Sequence, residues 1–250
     1  MTGKGPNGEK VVAILQSNYI PWKGYLDIIA AADVFVIFDD VQFTRRDWRN
    51  RNKIIVDGQT RWLTIPVATK GAFDAPVNQI AVSEPGWASK HLASLRHAYG
   101  KAAHARWLLP ELEDLFARAE ELPLLTDINE LFLRRLCTLL GIVPHFARSD
   151  EVPRHSTDPT ARLVEICEAH GAGLYLSGPA AKAYIQRNQF DRAGIALAYA
   201  NYEGYPIYEQ GRPEFEHGVS MLDLLFRFGP EAATHLKTTR RDPSLLSVET

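Results

Sequence analysis

The sequence predicts a Rossmann-like α/β protein: a parallel sheet with helices on both faces and a helical insertion. Two observations carry that prediction. VVAILQ (11–16) and VFVIF (34–38) are short apolar runs rich in β-branched residues, as buried strands are. Between them WKGYLDIIAAA spaces its apolar residues as a helix does, which makes a βαβ unit with a right-handed crossover. Farther along, IVPHFARS, GLYLSG and IALAYANY read as further strands alternating with helical stretches.

Taken in order, the first strand leads into SNYIPW, where Pro21 suits a helix start. After the second strand comes a polar, basic loop, DDVQFTRRDWRNRN. KIIVDGQTRWLTIPV then reads as a hairpin turning at Asp57 and Gly58. A loop with Gly71 and Pro76 precedes VNQIAVS, which reads as a strand. Residues 86–141 are helical throughout, with Pro110 and Pro123 marking helix starts and Gly141 an end. Ser156 or Thr157 is expected to cap the helix that closes at Gly171. AAKAYIQRN reads as a short helix, and Ser220 caps the helix running through LLFRFG. The domain organisation that follows is a disordered tail at 1–9, a single α/β domain at 10–236 with its insertion at about 86–141, and a loose tail at 237–250.

Of 250 residues, 46% are hydrophobic and 23% charged, an ordinary globular balance. A net charge of -2 argues against DNA or an anionic membrane as the general partner. No apolar run approaches the ~18 residues of a membrane span, so no insertion is expected. The polar start lacks a signal-peptide core, and Cys137 and Cys167 read as lone buried thiols. Both features point to the cytoplasm.

Ligands of open parallel sheets gather beyond the carboxyl ends of strands. Three segments lie there: Gln16, Ser17, Asn18 and Tyr19; then Asp39, Asp40 and Gln42; then Ser177 and Gly178. The adjacent carboxylates of Asp39 and Asp40 could bind Mg²⁺, orient a hydroxyl or accept a proton; turn capping is the plainer alternative. Arg45, Arg49 and Arg51 alternate with Trp48, Asn50 and Asn52, matching guanidinium forks to phosphate and an indole to stacking. Against that stands a simple solvated loop. Gly24, beside Tyr25, is costly inside a helix and marks either ligand approach or tight packing. His91 is a candidate general base, although a lone histidine more often packs. GxGxxG, GxxxxGK[ST] and HExxH motifs are missing, and no metal-ligand set stands out, so no resident metal is expected.

AILQSNYIPWKGYLDIIAAADVFVIFDDVQFTRRDWRNRNKI closely resembles the opening of the WbqC-like family. WLTIPV, SKHLASL, YLSGPAAKAYI and HGVSMLDLLFRFGPEA extend the resemblance over roughly 10–235, while Ser17 replaces a common proline. The resemblance implies a role in surface polysaccharide synthesis, notably O-antigen of lipopolysaccharide. It implies a transferase placing a glycyl or other acyl group on an amino sugar carried by a nucleotide. The cofactor is unknown; acyl-CoA, an acyl carrier protein and an aminoacyl-tRNA are the candidate donors, the latter two as macromolecular partners. In that reading the arginines hold diphosphate, the helix at Pro21 lends N–H groups, and Asp39 or Asp40 is the base. Tyr19, Trp22 or Trp48 stacks on base or sugar, and Ser177, Gly178 and Tyr184 close the site. NYIPWKGYL also resembles a degenerate HxGH signature of nucleotidylyltransferases and HUP-like folds, with Tyr25 at the final histidine. Two alternatives therefore stand: a nucleotidylyltransferase or amino-acid-activating enzyme, and a non-catalytic nucleotide-sugar-binding or scaffold protein.

Overall fold

The computed structural model describes residues 8–68, 74–238 and the backbone of Leu246–Val248. The expectations for the first seven residues and for Gly71 fall outside these. In chain order come β1 (Val11–Leu15), α1 (Lys23–Ala31), β2 (Val34–Ile37), β3 (Arg51–Val56) and β4 (Gln59–Thr64). Then follow α2 (Trp87–Tyr99), α3 (Ala105–Glu120), α4 (Leu125–Leu139) and β5 (His145–Arg148). The last elements are α5 (Pro159–Ala169), β6 (Leu174–Ser177), α6 (Arg187–Ala193), β7 (Ala196–Ala200), α7 (Met221–Phe228) and β8 (Leu246–Val248).

The main sheet runs β5-β2-β1-β6-β7-β8, parallel except for β8. Its central strands β1, β2 and β6 are buried on both faces, with alternate side chains entering the two layers of core. Ala13, Phe35, Ile37, Leu174 and Leu176 join the core shared with α1 to α4 and α7. Val12, Ile14, Val34, Val36 and Tyr175 meet Leu163 and Ile166 of α5 and Phe190 of α6. The chain winds outward from β1 through β2 to β5, then crosses back to β6 and β7. The direction of winding therefore reverses between β1 and β6, the place where such sheets open a ligand crevice.

Several local expectations are corrected. VNQIAVS forms a 3-10 turn at Val77–Gln79 and isolated bridges of Ala81 and Val82, because Pro76 and a hydrogen-bonded turn intervene. Pro110 lies inside α3, not at its start. The buried stripe of Leu108, Leu112, Leu115 and Phe116 outweighs the one backbone bond that proline forfeits. The cap of α5 is Asp158, whose carboxylate accepts from Ala161 N–H at 2.7 Å with Pro159 following, a better acceptor than either hydroxyl before it. AAKAYIQRN splits into a 3-10 turn (Pro179–Ala183) and the start of α6. Of the tail expected to be loose from 237, Lys237 and Thr238 donate their N–H groups to buried Asp27 and Leu246–Val248 pair with β7 as β8, while 239–245 and 249–250 lie outside the described residues.

Candidate functional site

A cleft of about 350 Å³ opens above the carboxyl ends of β1, β2 and β6, on the face covered by α5. Leu15, Gln16 and Phe38 form one wall, Ser177 and Gly178 the floor, and Leu163 and Ala181 the far side. Arg49 and Tyr184 stand at its polar edge. It lies over the β1/β6 reversal, and its volume is at the lower end for small-molecule sites.

Arg49 is the only basic side chain lining the cleft among the described residues. Its Nε–H donates to Gln16 Oε1 at 3.0 Å, and a second N–H donates to Asn18 Oδ1. Asp47 approaches at 3.7 Å. Two neutral amides thus aim the guanidinium, with the Asp47 carboxylate as its ion-pair partner. Gln16 is fixed in turn: Tyr25 OH donates to its carbonyl at 2.8 Å, and its own amide reaches Gln42 O at 3.4 Å. Tyr184 is 60% exposed, so its ring is available at the rim. Burial pushes its phenol upward while Arg49 opposes.

The adjacent aspartates diverge. Asp39 is buried, accepting from Ser17 N–H at 2.8 Å and Thr126 Oγ1 at 2.6 Å. Burial raises its pKa, opposed by those bonds and by Arg49. Asn129 completes the frame, donating to Ser17 Oγ at 2.9 Å and Arg49 O at 2.8 Å. Asp40 instead accepts from Ser149 Oγ and pairs with buried Arg162 at 3.4 Å. Neither carboxylate lines the cleft.

The remaining expected residues mostly brace this frame. Tyr19 is fully buried, and its hydroxyl lies 2.8 Å from His91 Nδ1. His91 Nε2 lies 3.1 Å from Thr64 O; burial lowers its pKa to about 4, so it is a neutral tie between α2 and the hairpin. Asn52 donates to Tyr19 O and Ile20 O at 3.0 Å each, holding Ile20 at φ 36°, a costly backbone for a β-branched residue. Asn50 donates to Ile65 O at 2.9 Å. Gly24 has a packing reason: a Cβ there would come 2.4 Å from the Trp22 indole. Trp22 packs on Tyr202 and Tyr205, and Pro21 O accepts from Met221 N–H. The start of α1 is further occupied by Lys23, buried among the Tyr205, Tyr208 and Phe215 rings, where burial lowers it to about 8. The start of α1 therefore packs on α7 and the 205–215 segment, and none of Ile20 to Gly24 lines the cleft. Trp48 and Arg51 lie against Trp62 of the hairpin, and neither they nor Arg45 line the cleft.

Sequence reasoning missed Thr126, Asn129, Ser149 and Arg162. Thr126 and Asn129 had a signal, for they are polar residues three apart on a face otherwise made of Leu125, Ile128, Phe132 and Leu133. Arg162 had the same signal, next to Leu163 and one turn before Ile166 on the buried side of α5.

Fold and site define an α/β protein with a switch-point cleft edged by one aimed arginine and one exposed tyrosine. The chain belongs to the WbqC-like protein family, whose model matches residues 16–235. It is 40% identical over 237 residues to a Mycobacterium tuberculosis (strain ATCC 25618 / H37Rv) protein named "Uncharacterized protein Rv1507c", covering 93% of this chain and all of that one. No solved structure matches. No helix among the described residues is long and apolar enough to cross a membrane. Both cysteines are free and buried, and burial pushes Cys137 up to about 12.

Proposed function

We propose that this chain is a transferase modifying an amino sugar on a nucleotide-activated sugar, by glycyl or other acyl transfer, in surface polysaccharide synthesis. The observation that carries the reading is Arg49, aimed by Gln16 and Asn18 at the cleft over the β1/β6 reversal. A guanidinium fork on neutral supports suits a diphosphate, which accepts two parallel hydrogen bonds. Tyr184 offers a ring for a base or sugar at the rim, while Ser177 in the floor is buried, its Oγ accepting from Tyr175 OH at 3.2 Å. Asp39 and Asp40 are engaged by the frame, so binding and orientation carry this reading, with no base assigned.

One observation favours a second reading, a nucleotide-sugar-binding protein without turnover. Among its described lining residues the cleft holds no aspartate, glutamate or histidine. Incubation with amino-sugar nucleotides and the three donor classes, read by mass spectrometry, separates the two. An acylated sugar supports transfer. Binding with no mass change across the panel supports the scaffold, and stabilisation by no nucleotide-sugar in a thermal-shift screen overturns both.

A further inference from the structure

The outward face of the β3–β4 hairpin has a constellation that the cleft does not use. Trp62 lies directly across from Lys53. The Arg51 guanidinium carbon is 4.1 Å from the Trp62 ring centre, and Trp48 packs against the same indole with ring centres 5.2 Å apart. The Lys53 ammonium sits 5.5 Å from Trp62 and 5.7 Å from Trp48. Trp62 is 42% exposed. Segment 45–61 carries six Lys and Arg against two Asp, in a chain whose net charge is -2. Glu216 matches Lys53 at 3.2 Å. Arg46 and Arg51 have no carboxylate partner among the described residues: Arg51 donates to Arg46 O.

We propose that this face binds single-stranded nucleic acid. Two indoles tilted 48° to one another, one of them with a guanidinium over its ring, give unpaired bases a surface to stack on, and the unmatched arginines give phosphates their partners. A membrane fits less well. The neighbouring hairpin positions Gln59, Thr60 and Thr64 are polar, and the other exposed large apolar side chains, Val143, Tyr184 and Ile207, lie elsewhere. Duplex fits less well, because its bases are already stacked. The proposal goes beyond the cleft reading and is independent of it, since Trp48, Arg51 and Trp62 do not line the cleft.

The test uses the full chain and labelled oligouridine, oligothymidine, a duplex and vesicles containing anionic lipid, at low salt. The expected result is binding of a single strand more tightly than duplex or vesicles; the tighter of the two strands identifies the sugar recognised. Trp62→Ala should weaken that binding by about 5- to 100-fold without changing the melting temperature. Arg51→Gln, on the same face as Trp62, should flatten the logarithmic salt dependence by about 0.7. Absence of binding to both strands, unchanged binding in both variants, or preference for vesicles or duplex would each overturn the proposal. Because nucleotide-sugar binding is read separately, failure here leaves the cleft reading standing, and the reverse holds too.

Discussion

Asp39 and Asp40 sit at the same end of the sheet as Arg49, yet their charges are used in opposite ways. The acids point into the protein, Asp39 onto Ser17 and Thr126 and Asp40 onto Ser149 and Arg162. Arg49 points to the cleft and is held chiefly by two side-chain amides. An acid whose lone pairs are filled by buried donors is a brace. A cation held chiefly by neutral oxygens can still meet an anion that enters. Charged residues clustered at a strand end are thus not equivalent, and their partners divide them into frame and site.

The largest effect is expected on the frame. Asp39→Ala leaves the Ser17 N–H and Thr126 hydroxyl unpaired in the core and should cost about 2–4 kcal/mol in urea unfolding. Asp39→Asn should cost less and should also alter the pH profile. Burial raises the folded carboxyl's pKa, so its contribution is fullest below the ordinary carboxylate value and is lost as pH rises through the folded value. The asparagine variant should lack that decline. A loss under 1 kcal/mol for Asp39→Ala would break the comparison.

His91 gives the next effect, with the opposite sign. Its folded pKa of about 4 lies below the ordinary 6.5, so the unfolded chain binds the extra proton between those values. Stability should therefore fall by about 3 kcal/mol as pH drops from 6.5 to 4. His91→Gln should remove that part of the slope while leaving nucleotide-sugar affinity unchanged. A persistent slope in the variant would mean that other groups produce it.

Tyr184→Ala sharpens the site half of the comparison and has the smallest expected effect. Because the side chain is largely exposed, melting should be unchanged within about 0.5 kcal/mol. Affinity for a nucleotide-sugar should drop about 3- to 10-fold, read by titration calorimetry.

Much of the fold was legible because its signals are local. The runs at 11–16 and 34–38 could only be buried strands, and Asp57 and Gly58 turned the hairpin where expected. Three strand ends and a basic loop were also legible as one neighbourhood, and the cleft does draw on Gln16, Arg49, Ser177, Gly178 and Tyr184. What stayed hidden depends on direction and distance. Periodicity cannot say that Tyr19 turns into the core, or that Asp40 meets an arginine 122 positions away. The helical insertion at 86–141 was legible as such, but not that α4 returns to the site through Thr126 and Asn129. Pro110 misled because its local cost is small beside the burial of the stripe around it.

The central claim, that Arg49 is the cation of the cleft and not part of the frame, is tested most directly by titrating Arg49→Gln with nucleoside diphosphate-sugars beside the unaltered chain. The expected result is a loss of about 10- to 100-fold in affinity, with a stability change below about 1 kcal/mol. Equal affinity in the two proteins, or a variant that unfolds before it binds less, would contradict it.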